Sequence, residues 1–231
     1  MKEPSSTTAC VAKALILLML LGGTGLRAHQ EPNLRAATQK TPDTAIERTR
    51  RFIQAVKDSS YPELRGVDVD ARPFDSDSDY FRTRFSIGRA LSGARMHFFI
   101  EVNPAVFQRE APEEGLRAII AHELGHVLYL HRRNRLRFIG LARLASGSST
   151  ATFERRTDLQ AISRGYGPGL KLYREWLYRN VPPKSITEKK RDYFSPEEID
   201  VILRRIQKDP SIIKVWLRRV PLDINQLRKG E

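Results

Sequence analysis

The chain has 231 residues, 40% hydrophobic and 29% charged, a globular balance that allows one domain with a sizeable core. Its formal net charge of +13 and pI of about 10.2 favour acidic partners, such as nucleic acid or an anionic membrane surface, although a solvated basic surface satisfies the same numbers. No zinc finger or aromatic-interleaved basic motif accompanies that charge, which argues against specific nucleic-acid recognition. The single cysteine, Cys10, excludes a disulfide framework.

Residues 1–28 place Lys2 and Lys13 before the apolar run Ala14 to Leu21, then Gly22, Gly23 and Gly25, with Ala28 as the cleavage edge. That order predicts a signal peptide and a periplasmic or secreted protein. The alternative is an uncleaved signal anchor, although the run is short for a membrane span. Residues 29–45 are polar, carry Pro32 and Pro42, and read as a linker. Residues 46–231 form the expected single domain. It opens with a helix in TAIERTRRFIQAVKDSS, where Ile46, Phe52, Ile53 and Val56 recur near the helical period.

DSDSD, residues 75–79, reads as an acidic turn; it lacks the Gly and downstream Glu of a calcium loop. YFRTRFSI and RMHFFIEVN alternate as strands, and the second, over 95–102, is expected to be the edge that receives an extended peptide. A helix begins near Pro112 with Glu113 and Glu114 at its positive end. Another begins near Thr152. The C-terminal part, from about residue 168, reads as helical: GLKLYREWLYRN, then a helix that Ser195 and Glu198 start as a capping box, then a short one around Trp216.

The chemistry concentrates in AIIAHELGHVLYLHRR. Residues four apart on a helix share a face, so His122 and His126 can reach one Zn2+ ion. Glu123 lies at the edge of that face and can take a proton from a zinc-activated water, the arrangement of a known metalloprotease signature. Gly125, inside the helix, suggests a close neighbour.

A catalytic zinc needs a third protein ligand and an open position. The position six after His126 is Arg132, and His131 projects to the opposite side of the helix from His122. The third ligand is therefore a carboxylate, or His29 or His97 from upstream. In TFERRTDLQAISRGYGPG, Glu154 and Asp158 share a helix face, so Glu154 can ligate while Asp158 holds a ligand histidine by its other nitrogen. An exposed helix with surface acids satisfies the same spacing.

HELGHVLYLH, ERRTDLQAISRGYGPG and FFIEVNPAVF together resemble the gluzincin peptidases that include the HtpX-like and CAAX prenyl endopeptidases, over about residues 96–178. The resemblance implies Glu154 as third ligand and an α+β, zincin-like fold, with a small antiparallel sheet over the active-site helix and a helical C-terminal part. It implies a zinc metalloendopeptidase acting on peptide or protein substrates. RFIGLARLASGSST is too short and basic for the membrane hairpin of some relatives. Relatives place a downstream histidine or arginine near the oxyanion. No histidine follows His131 here, which leaves Tyr166 or Arg164 for that role. The rival reading is a non-catalytic or gated zincin-like binding module on the extracytoplasmic side.

Overall fold

The computed structural model describes residues 44–86, 95–132 and 147–229. The signal-peptide segment, most of the linker, His29 and residues 133–146 lie outside the described residues. The first helix, α1 (Ala45–Ser60), starts at a reciprocal cap: Thr44 Oγ1 accepts from the Glu47 amide and Glu47 accepts from the Thr44 amide. Its Ile53 and Val56 enter the core.

Three strands follow: β1 (Asp68–Pro73), β2 (Phe81–Phe85) and β3 (His97–Val102), in the order β1-β3-β2. β2 pairs with β3 antiparallel, but β1 pairs with β3 parallel. The sheet is therefore mixed rather than antiparallel. β3 is its centre, not the edge expected at 95–102; among the described residues the edges are β1 and β2. The physical reason lies in β3 itself. Phe98, Ile100 and Val102 are fully buried against the helices and Phe99 is buried on the opposite face, the pattern of a strand covered on both sides.

After the short α2 (Ala105–Gln108), α3 (Glu113–His131) runs under the sheet. Pro112 precedes its first turn, and Glu113 and Glu114 face its positive end. From Ala118 to Leu128 every residue of α3 is buried. Two histidines and a glutamate therefore lie inside an otherwise apolar helix, where they need polar partners.

α4 (Gly147–Ala161) leads through the wide turn Ile162–Tyr166 into α5 (Gly167–Asn180). Gly165 takes φ 91 in that turn, a conformation costly for other residues. α3 and α5 cross closely: a Cβ on Gly169 would lie 2.5 Å from the Glu114 carbonyl oxygen. α6 (Pro183–Asp192), α7 (Pro196–Lys208), α8 (Ile212–Arg218) and α9 (Ile224–Arg228) complete the described chain. The Ser195–Glu198 capping box opens α7 as expected, and Trp216 of α8 packs with Phe194, Ile199 and Ile202. The architecture is α+β, mostly helical. Among the described residues no helix is long and apolar enough to cross a membrane.

Candidate metal centre

The folded chain brings His122, His126 and Glu154 to one point. The two Nε2 atoms are 3.0 Å apart. Glu154 Oε2 lies 3.2 Å from His122 Nε2 and 3.1 Å from His126 Nε2. The helical repeat of α3 sets the imidazoles one turn apart, and α4, packed against α3, delivers the carboxylate.

Asp158, one turn beyond Glu154, is completely buried and accepts three hydrogen bonds. They come from His122 Nδ1 at 2.8 Å, the Arg174 guanidinium at 3.0 Å and the Phe194 amide at 3.1 Å. The first bond places the proton of a neutral His122 on Nδ1, so its Nε2 lone pair faces His126 and Glu154.

Electrostatics follow from this packing. Burial works against the charged form of His122, but the hydrogen bonds to Asp158 and Glu154 outweigh it and raise its pKa to about 10. Burial works against the Glu154 carboxylate too, yet the two histidines hold its pKa far below the usual range. Asp158 is also lowered, with burial overcome by Arg174, His122 and the Phe194 amide.

The residues present fit a zinc ion. Zinc bonds of about 2.0–2.1 Å in tetrahedral geometry separate their ligand atoms by roughly 3.3 Å, close to the three observed separations. Two imidazoles and one carboxylate are a known catalytic donor set that leaves one position open. Among the described residues this is the only cluster of three or more such side chains within metal-binding reach.

Glu123 is 5% exposed, and its Oε2 receives a hydrogen bond of 2.7 Å from Thr83 Oγ1 on β2. Gly125 is required where it stands, because a Cβ there would meet Thr157 Cγ2 of α4 at 2.8 Å. That contact lets α4 approach closely enough to deliver Glu154.

The other sequence candidates lie elsewhere. His97 stacks on Phe99 and pairs with Asp68, and His131 is exposed at the end of α3. The Tyr166 hydroxyl lies 2.8 Å from Ser60 Oγ, and Arg164 binds the Ser60 carbonyl and Glu63, which holds both at the end of α1. The tyrosine beside the cluster is Tyr193. Its ring centroid lies 5.9 Å from that of His122, and the Arg174 guanidinium covers it at 4.3 Å. Burial, then the nearby Glu154 carboxylate, raises its pKa well above 10, so the hydroxyl keeps its proton.

Thr83, Arg174 and Tyr193 had no signal in the sequence, because each meets the site only through tertiary contact. No family model, curated protein or solved structure matches this chain.

Proposed function

We propose that the chain is a zinc-dependent endopeptidase of zincin-like fold, similar to the HtpX-like and CAAX prenyl gluzincins, and that it is exported. The convergence of His122, His126 and Glu154, with Glu123 adjoining and Asp158 behind His122, carries this reading. The HELGHVLYLH and ERRTDLQAISRGYGPG segments support the family, and the lysine, apolar, glycine, alanine order of residues 1–28 supports export. A zinc ion, when bound, would supply Lewis acidity, lowering the pKa of water to about 7 and polarising the scissile carbonyl.

The chain's own residues do the rest. His122, His126 and Glu154 would hold the ion, and Asp158 keeps His122 in the tautomer that could ligate it. Glu123 accepts the proton of the attacking water and returns it to the leaving amine. Thr83 fixes the Glu123 carboxylate. The Tyr193 hydroxyl keeps its proton and offers a donor to the developing oxyanion. The substrate is a peptide or protein, laid extended along the outer edge of β2. The basic surface adds peripheral contact with anionic membranes.

Metal analysis of the purified protein, with a broad peptide-cleavage screen of wild type against Glu123→Gln, tests this function. The expected outcome is one zinc in each protein, with cleavage by wild type only. Equal cleavage by both proteins would remove the assignment. Zinc without cleavage of any peptide would favour a binding module.

A further inference from the structure

The edge strand beside Glu123 carries a charge pattern that no step of the proposed chemistry uses. In β2 the Tyr80 carbonyl accepts from the Asn103 amide at 2.9 Å, and the Ser86 amide donates to the His97 carbonyl at 3.0 Å. The two-residue period of an antiparallel ladder then directs the main-chain groups of Arg82 and Arg84 toward β3. Those of Phe81 and Thr83 face the other edge, and among the described residues no strand pairs there.

Side chains alternate as well. Phe81 and Phe85 pack into the core above α3, and Thr83 reaches Glu123. Arg82 and Arg84 stand on the opposite face of the sheet, 42% and 27% exposed. Glu101 of β3 is their shared carboxylate, 2.5 Å from Arg82 and 3.5 Å from Arg84. A third cation on this face, Arg72 of β1, covers the Phe99 ring at 3.3 Å. The other carboxylates of this face, Asp68 and Asp70 on β1, pair with His97 and Arg50; beside β2 one carboxylate serves two guanidiniums, which leaves positive charge along that edge.

We propose that β2 selects acidic peptides, with Arg82 and Arg84 pairing with Asp or Glu side chains of the bound strand. The proposal rests on the peptidase reading of the same site. A peptide added to the edge presents alternate side chains on the face of Arg82 and Arg84. Directly opposed residues stand about 4.5–5.5 Å apart at Cβ, where opposite charges attract and like charges repel. Thr83 lies between the two arginines and touches Glu123, so the selected side chains flank the residue nearest the general base. A single exposed cross-strand ion pair corresponds to a preference of up to about fivefold, and reversing its sign roughly doubles the contrast in free energy.

The experiment uses zinc-loaded protein and quenched peptides of one sequence, carrying Glu, Ala or Lys at alternate positions around the cleaved bond. Binding of the same peptides to Glu123→Gln is followed by fluorescence anisotropy. Glu peptides should be cleaved and bound several-fold better than Ala peptides, and these better than Lys peptides, with the contrast shrinking in high salt. Arg84→Glu should reverse the order and Arg84→Met should flatten it, with zinc content and melting temperature as checks on folding. Cleavage or binding indifferent to charge, or a Glu preference that survives Arg84→Glu, would overturn the selection while leaving the peptidase reading intact. If no peptide is cleaved, the peptidase reading fails, and anisotropy still decides whether β2 selects acidic chains.

Discussion

Thr83 Oγ1 lies 2.7 Å from Glu123 Oε2 and 3.1 Å from the Glu123 carbonyl oxygen, so one hydroxyl of the edge strand is held against the Glu123 carboxylate and its backbone. Under the proposed function the contact would tie peptide binding to proton transfer, because the strand proposed to receive the substrate also touches Glu123. Thr83→Val keeps the β-branched shape and removes the hydroxyl. A hydrogen bond to a charged group is worth about 1.5–3 kcal/mol, so kcat should fall by about tenfold or more, with zinc content unchanged. Thr83→Ser should restore most of the rate. Steady-state kinetics of both variants checks this; an unchanged kcat in Thr83→Val would show that Glu123 is positioned without the strand.

Tyr193→Phe separates the hydroxyl from the ring. The ring covers Arg174 and adjoins His122, and phenylalanine retains both contacts. Loss of one oxyanion donor costs about 10²–10³ in kcat, so turnover should drop by roughly that factor while zinc affinity and melting temperature hold. A variant as fast as wild type would reduce Tyr193 to a packing residue.

Asp158→Asn should damage the site and the fold together. The substitution removes the negative charge beside Arg174, which is 2% exposed. Breaking a buried charge pair costs about 3–5 kcal/mol, and loss of a partner behind a ligand histidine weakens metal binding about 10–100-fold. Denaturant unfolding and a zinc competition titration measure the two effects. Stability within the error of wild type would mean that Arg174 finds another partner.

Legibility in the sequence followed the range of the contact. His122, Glu123 and His126 were readable because one helical turn fixes their relation. Glu154 and Asp158 had the right spacing, but an exposed acidic helix has it too; the resemblance to a gluzincin segment singled them out. β1 was hidden because DVDARP offers only Val69 and Ala71 as apolar residues, among three charged ones and before a proline, an alternation too short to mark a strand. With β1 unseen, the order that makes β3 central could not be read, and the edge was assigned to the wrong strand. α6 buries none of its residues and so has no apolar stripe to betray it. Thr83 and Tyr193 sit 40 and 70 positions from Glu123 and Glu123's neighbourhood respectively, distances that only folding closes.

Zinc uptake should release a proton, and pH dependence should show it. In the metal-free protein the hydrogen bonds from His122 to Asp158 and Glu154 overcome burial and raise its pKa to about 10, against a usual 6.5. A pKa raised by folding means that the protonated ring stabilises the native state. That contribution is fully present below about pH 6.5 and is lost as pH rises toward 10. Glu154 and Asp158 are shifted the other way and stay ionised across this window, so neither supplies protons. A metal ion needs the Nε2 lone pair of a neutral His122 and must displace the proton. Calorimetric titration with zinc near pH 7.5, in buffers of different ionisation enthalpy, should therefore report about one proton released from His122 per zinc bound. Over the same window the melting temperature of the metal-free protein should fall with rising pH, while the zinc-loaded protein escapes that loss. Release of no proton would show that His122 is already neutral, and the Asp158–His122–Glu154 chain would then hold the ring in place without holding its charge.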